Sequence, residues 1–512
     1  MIISACLAIA AFPNPAFAGV NLKTGNFNIS YTDLTLVGSR KIDITRTYNS
    51  VSTELGWFGY GWGSELETRL LVQGDGSIVI KEHGAGAETR FQPAQQSVAE
   101  IEDSINAILG AAQAEGSFTT DEEQAAERRK LRSNANHRAA QWTLQVKRGS
   151  IAQRVVTTGS VYRTTDRGEQ RLTRTHTGFL REQGTRQDEF DEAGRLLRIS
   201  EGREHYLALG YDAAGLLIRI VDDKGQEIGV QMSAAGRILR LTRPNGQGAV
   251  YYEYENDRLI ASRDTGGNVY AYRYDDHYNL CTIGYSDGSQ MLIGYESATF
   301  FTRVVTDRKG ETTWFRYGAE AERPEDHYFT EVTKTGLEVE PHTDRYEYWM
   351  ATLADGRRNL ERSLSTINGS TKEIFHDPQT GYITEVRRYP KDKPDEAEWF
   401  RYRYNLRNRL AEASHSKGEH VSLEYDAVGR VIAARSADEQ MQFTYKDDDT
   451  GKPSRVTVQG LGAGNVTYNP EGDFEKVESE PVDGDAALAL KITQAMQRLL
   501  ALVEPSYGFT WV

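Results

Sequence analysis

Between residues 249 and 255 apolar and polar positions alternate strictly. Val250, Tyr252 and Tyr254 share one face, and Tyr251, Glu253 and Glu255 share the other. A period of two is the signature of a half-buried β-strand. Turn signals interrupt such runs about every ten residues: Asp222-Asp223-Lys224-Gly225, Arg243-Pro244-Asn245-Gly246, Asp264-Thr265-Gly266-Gly267, Asp287-Gly288 and Asp307-Arg308-Lys309-Gly310. Short strands joined by tight turns predict a long antiparallel meander.

The meander is a repeat. Phe190-Asp191-Glu192-Ala193-Gly194-Arg195-Leu196 is followed by Tyr211-Asp212-Ala213-Ala214-Gly215-Leu216-Leu217, then by Met232-Ser233-Ala234-Ala235-Gly236-Arg237-Ile238. Tyr254, Tyr274 and Tyr295 continue the series, which fades between about 318 and 370 and returns at Tyr404-Asn405 and Tyr425-Asp426. In each unit the Tyr ends a strand. Asp bonds the backbone ahead of it, Gly takes positive φ, and Arg-Leu starts the next strand. At about ten residues per strand, the β region gives about 40 strands and a ribbon of about 190 Å at ~4.8 Å per strand. Closed once, that ribbon makes a broad ring about 60 Å across, so the expected fold is an all-β partial or open shell.

Two stretches break the period of two. Over 95–140, Val98, Ile101, Ile105, Ile108 and Ala112 recur at helical spacing. Ser97-Val98-Ala99-Glu100 and Thr120-Asp121-Glu122-Glu123 fit capping boxes, which predicts an inserted helical hairpin. Near the end, Leu488, Ile492, Met496, Leu499, Leu500 and Val503 line one face of a helix spanning 486–503. A helix after a β-array is expected to cap a sheet edge or plug an opening, the alternative being contact with a partner or membrane surface.

Composition agrees. Gly (47) and Tyr (27) are frequent and Pro (13) is scarce, which suits strands and turns rather than helix bundles. The formal net charge of −14 argues against a general nucleic-acid binder, which needs a basic face. The apolar run up to Phe12, followed by Ala16-Phe17-Ala18, reads as a signal peptide (1–18) cleaved after Ala18, although no Lys or Arg precedes it. Export to the periplasm, cell surface or medium is therefore expected. Cys6 and Cys281 are the only cysteines, so the mature chain has no intrachain disulfide. No later apolar stretch is long enough to span a membrane.

The Tyr-Asp-x-x-Gly-Arg-Leu unit resembles that of the Rhs/YD-repeat family. Val20-Asn21-Leu22-Lys23-Thr24-Gly25-Asn26-Phe27, Tyr31-Thr32-Asp33-Leu34, Arg46-Thr47-Tyr48-Asn49-Ser50 and Gly56-Trp57-Phe58-Gly59-Tyr60-Gly61-Trp62 resemble the module that precedes the repeats in that family. The resemblance covers about 20–92 and 142–475. It implies a β-shell that acts as a scaffold or encloses a cargo. The family's C-terminal cleavage motif, rich in Asp-Pro-x-Gly, is not found. Asp377-Pro378-Gln379-Thr380-Gly381 reads as a mid-chain turn, and a toxin domain is not expected within these 512 residues.

Candidate chemistry is thin. Gly284-Tyr285-Ser286-Asp287-Gly288 matches a nucleophile motif, but that motif needs a strand-to-helix turn and here strands flank it. Asp326-His327, His342 and His376 fall in or just beyond the faded stretch, without metal-ligand spacing. Asp447-Asp448-Asp449 lacks the ligand count of a calcium loop, and Gly460-Leu461-Gly462-Ala463-Gly464 reads as a hairpin turn. No catalytic, cofactor-binding or metal residue is assigned, and no cofactor is expected.

The expected organisation is a signal peptide (1–18), an N-terminal β module (19–94), a helical hairpin (95–140), YD repeats (141–317), irregular β repeats (318–403), further YD repeats (404–480), and a capping helix with its tail (481–512). The expected function is that of an exported, non-catalytic scaffold for a partner protein or a surface carbohydrate. The alternatives are a truncated or split component holding a separately encoded toxin and, more weakly, a carbohydrate-acting enzyme.

Overall fold

The computed structural model describes residues 17–37, 41–82, 88–93, 98–164, 170–184, 186–201, 205–246, 248–336, 341–353, 358–407, 409–427, 429–446, 452–468, 474–479 and 486–503. The segment read as a signal peptide lies outside them, except Phe17 and Ala18. The first strand, β1 (Phe17–Asn21), already includes those two residues, pairing Phe17 with Ser30 and Ala18 with Ile29. Cleavage after Ala18 would leave the pairs from Gly19 onward.

The chain builds one antiparallel sheet of 32 strands in sequence order, from Arg69–Val72 to Phe474–Ser479. Among the described residues no ladder joins its two ends, so the shell is open. Its first strand folds back through an isolated bridge between Arg69 and Arg195, just before the strand Leu196–Glu201, so the first eight strands already close one curl.

The repeat explains the meander. Each YD tyrosine pairs with the apolar residue that starts the next strand: Tyr211 with Leu217, Tyr254 with Leu259, Tyr274 with Leu280 and Tyr425 with Val431. A bulge follows at every one of these pairs. Between them, Asp Oδ1 accepts from the backbone four residues on, as Asp212 does from Leu216 at 2.9 Å and Asp426 from Arg430 at 2.8 Å. Gly194, Gly215 and Gly236 supply φ near +80° at the same turn position.

The tyrosine hydroxyl does a second job. Tyr211 donates to the carbonyl of Leu196, Tyr274 to Leu259, Tyr295 to Leu280, Tyr317 to Thr302 and Tyr425 to Leu410, always fifteen residues back, at 2.7–2.9 Å. Each repeat is thus tied to the one before it. Burial pushes these phenols up, so the hydroxyl remains a donor at any ordinary pH. Replacing Tyr425 with Phe should cost about 1–2 kcal/mol, because the Leu410 carbonyl loses its partner. The denaturant midpoint should fall with an unchanged slope.

The stretch at 318–403, expected as irregular β repeats, carries the meander on strand by strand among the described residues, from Thr312–Ala319 to Glu398–Tyr404. Its strands reach eleven residues at His342–Thr352. Longer strands set the turns farther apart, and so the 21-residue register disappears from the sequence.

The insertion is a three-helix unit that runs past Ala140: α1 (Val98–Ala114), α2 (Asp121–Ser133) and α3 (Ala135–Arg148). Asn134 makes the extra break. Its amide closes α2 on Lys130, and its side chain accepts from His137 N to start α3. The capping box at Thr120 and Glu123 is present. The one at Ser97 lies outside the described residues. Ile105, Ile108, Leu109, Leu131 and Trp142 form the unit's own core. Arg138 anchors it to the sheet through Asp75.

The final helix, α4 (Ala486–Val503), buries Ile492, Ala495 and Met496 against Ile374, Val421, Met441, Val456 and Val477. Thr493 Oγ1 accepts from Val477 N at 3.2 Å, so α4 satisfies a donor on the last strand. No helix among the described residues is long and apolar enough to cross a membrane.

Candidate functional site

The core face of the sheet is filled from two sides. α4 covers the later strands. The N-terminal module covers the earlier ones with β1, β2 (Asn26–Val37) and β3 (Lys41–Asn49). Its contacts step along the repeats. Leu70 N donates to Gly194 O, Ile238 N to Trp57 O, Tyr60 N to Asp257 O, and Thr302 N to Gly25 O, all at 2.8–2.9 Å. Leu280 N donates to Tyr48 Oη at 3.0 Å, and Thr330 Oγ1 to Leu22 O at 2.5 Å. Ile238, Leu280 and Thr302 open their strands beside the bulges, so their N–H groups point away from the ladder. The module is a spine that satisfies what the bulges at Ile238, Leu280 and Thr302 leave unpaired.

At its centre Arg46 is 1% exposed. Its Nε donates to both Asp33 oxygens at 3.1 and 3.0 Å, and Nη2 to Ser262 Oγ and Tyr272 Oη at 2.9 Å each. Nη1 is buried without a hydrogen-bond partner, and the guanidinium stacks over Tyr31 at 4.6 Å and Trp62 at 4.8 Å. Tyr252 Oη donates to Asp33 at 2.7 Å, so both ends of the ion pair reach from module to repeats. Burial pulls the guanidinium down, but Asp33, Tyr272 and Tyr252 hold it well above its ordinary value.

Glu67 sits at the rim of the same seam. The residue as a whole is half-buried, but its carboxyl points inward: Oε1 accepts from Trp57 N at 2.5 Å, and Oε2 is buried without a hydrogen bond. Burial pushes its carboxyl up to about 8, against the backbone hydrogen bond from Trp57, the more distant Arg69, the Ser64 backbone and Arg237. Glu67 lines a cavity of about 210 Å³ together with Glu54, Trp57, Arg69, Arg195 and Tyr211.

Sequence reasoning quoted Arg46 and Asp33 as family-like residues and gave them no role. The available signal was phase: Ile44, Arg46 and Tyr48 alternate inward along β3, so the arginine occupies a core position. Glu67 carried no such signal.

The singled-out residues are scattered. Ser286 lies in the turn between Leu280–Tyr285 and Gln290–Tyr295, where its hydroxyl accepts from Val269 N at 2.6 Å and donates to Val269 O at 3.1 Å. His376 Nδ1 pairs with Gly381 O at 3.2 Å. His342 stands 3.7 Å from Asp344, and Asp326 receives Arg358 at 2.7 Å. Asp377 opens the expected turn, and Gly460 and Leu461 turn the chain into the strand Gly462–Tyr468. Asp447-Asp448-Asp449 and Cys6 lie outside the described residues. Among the described residues no three His, Cys, Asp or Glu side chains converge to hold a metal.

His327 belongs to something larger. On the face opposite the core, His327, Trp349, Arg362, Phe375, Glu385 and Arg401 stand directly across from one another on successive strands. His327 stacks on Trp349 at 4.4 Å, Arg362 lies 4.2 Å over the Trp349 ring, and Arg401 bonds Glu385 at 2.9 Å. A neighbouring row sets Arg345 3.7 Å over Phe329 and pairs it with Glu331 and Glu347. A second cavity, about 640 Å³, opens beneath α4 between Phe400, His415, His420, Met441 and Leu499.

Residues 252–290 match the RHS Repeat family, and residues 18–91 match a domain of unknown function, DUF6531. No curated protein matches the sequence. Among solved structures the chain is similar to TcdB2-TccC3-Cdc42, with a TM-score of 0.32 and 9% identity over 90% of this chain and 30% of that one. It is similar to the Photorhabdus luminescens Tc holotoxin pore, with a TM-score of 0.31 and 10% identity over 91% of this chain and 28% of that one. It is also similar to a porin-like protein from Bacteroides uniformis, with a TM-score of 0.16 and 10% identity over 56% of this chain and 88% of that one. The chain therefore spans less than a third of the Tc toxin chains it matches.

Proposed function

We propose that this chain, a member of the Rhs/YD-repeat family, is an exported, non-catalytic β-scaffold that engages a partner protein. The observation that carries this reading is the filled core face. The N-terminal module occupies it over the early repeats and α4 over the late ones. A wall plugged by its own chain is better suited to presenting its outer face than to holding a cargo inside. That outer face is stiff, because its arginines, carboxylates and rings are already paired across successive strands. A preorganised surface loses little side-chain entropy on binding. The candidate nucleophile Ser286 is engaged with backbone, which also favours a structural role.

The test is co-expression of residues 19–512 with the products of the flanking reading frames, followed by size-exclusion chromatography with light scattering. A stable complex of defined stoichiometry with a non-toxic neighbour supports the scaffold. Co-purification of a small toxin protected from added protease would replace it with the cargo-holding reading. Binding to a glycan array with no protein partner would assign a surface polymer instead. Hydrolysis of an array glycan would overturn the non-catalytic assignment.

A further inference from the structure

We propose that Glu67 is a proton-operated latch on the seam: as a neutral acid it lets the N-terminal module close on the YD repeats, and as a carboxylate it loosens that closure. This goes beyond the scaffold reading and does not depend on it.

The geometry is that of a carboxyl built to be uncharged. Glu67 ends a short helical turn, Glu65–Glu67, immediately before the first strand of the sheet. Its donors are backbone groups only, Trp57 N at 2.5 Å and, more weakly, Ser64, while Oε2 is buried without a hydrogen bond within 3.5 Å. Its surroundings are tight: a Cβ on Gly56 would stand 2.8 Å from Oε1 and 2.4 Å from Trp62 O. A buried carboxylate that faces no cation is strongly disfavoured, whereas a neutral carboxyl is tolerated.

The charged and titratable groups around it are engaged elsewhere. On its own side Arg69 is paired with Glu54 at 2.8 Å, and Glu54 also takes Lys81 at 2.7 Å. From the repeats, Arg195 is paired with Asp191 at 2.7 Å. Arg237 is paired with Asp257 at 3.1 Å and donates to Gly56 O at 2.6 Å. Tyr211 and Tyr254 give their hydroxyls to Leu196 O and Ile238 O. Among the described residues no cation lies within ion-pair distance of Glu67, so ionisation would leave a bare charge at the seam.

What that charge would disturb is specific. Trp57 N is the donor to Glu67, and Trp57 O is the acceptor for Ile238 N at 2.8 Å. The carboxyl therefore holds the residue that holds the repeat. Three residues on, Leu70 N donates to Gly194 O and Arg69 bridges Arg195, the contact that closes the first curl. The cavity that Glu67 lines gives water a route to the seam once it opens.

The sign follows from linkage. Closure raises the affinity of Glu67 for its proton, from an ordinary carboxyl value to about 8. Opening therefore releases a proton between those limits, and its equilibrium constant rises roughly tenfold per pH unit from about pH 5 to pH 8, then levels off. The span is about a thousandfold.

The experiment is amide hydrogen exchange on the full chain from pH 5 to 9, corrected for the intrinsic rate. In the wild type the protection of Ile238 and Leu70 should fall about tenfold per unit up to pH 8. The amides of Gln440–Thr444, far along the sheet, should hold constant. Glu67→Gln, which mimics the neutral acid, should keep Ile238 and Leu70 protected throughout. The latch is overturned if wild-type protection at the seam does not change with pH, if the distant strand loosens in parallel, or if Glu67→Gln shows the wild-type slope. Because the wild-type measurement alone decides the first two outcomes, the test survives a Gln variant that fails to fold.

Discussion

Alanine in place of Arg46 should destabilise the folded chain by about 3–5 kcal/mol, the range for a buried ion pair that loses one partner. The substitution removes four hydrogen bonds and leaves Asp33, 5% exposed, with only Tyr252 Oη as a donor. It also opens a void beneath Tyr31, Trp62 and Tyr272, whose rings now pack on the guanidinium. Lysine should rescue little, because a point charge cannot reach Asp33, Ser262 and Tyr272 at once. The double variant Asp33→Leu with Arg46→Met should recover much of the loss, since neither polar group would then be stranded. Guanidinium unfolding of the wild type, Asp33→Leu, Arg46→Met and their double variant closes the cycle, with Arg46→Ala and Arg46→Lys measured beside them. If Arg46→Ala costs under about 1 kcal/mol, the ion pair does not hold the module to the repeats.

That centre marks the boundary of what the sequence made legible. Local chemistry was readable: Asp212, Gly215 and Leu217 specify a turn and a strand start through hydrogen bonds a few residues apart. The antiparallel order followed, because short turns leave no other partner. The third helix was missed. Asn134 interrupts a charged run whose composition reads as one continuous helix, and its role shows only when its side chain is seen to accept from His137 N. The repeat register faded at 318–403 because strand length, rather than strand pairing, changed there. The docking of β1 to β3 across the repeats was hidden for a deeper reason. It pairs Tyr48 with Leu280 and Gly25 with Thr302, more than 200 residues apart, and no periodicity reports such partners. Glu67 was the least visible of all, since a glutamate two residues before a strand reads as solvated.

The largest effect should come from deleting the spine. A chain without residues 17–66 loses the acceptors of Ile238 N and Thr302 N, the partner of Leu280 N and the donor to Asp257 O. It also loses Phe27, Ile29, Tyr48, Phe58 and Trp62, all at most 1% exposed. At about 1.5–3 kcal/mol for each large apolar side chain, their removal alone rivals the whole stability of a typical domain, about 5–15 kcal/mol. The expected result is an insoluble or uncooperatively unfolding protein. Deleting residues 469–512 removes a comparable length of chain but only the last strand and α4. In a stacked array the other repeats keep their nearest neighbours. That variant should melt earlier yet remain soluble and cooperative, with Gly462–Tyr468 as its new edge. Solubility, far-ultraviolet circular dichroism and urea unfolding distinguish the two. Equal collapse of both variants would mean that the array is held from its ends and not along a spine. Survival of the first would mean that the repeats need no template, and that each bulge finds water as good a partner as the module.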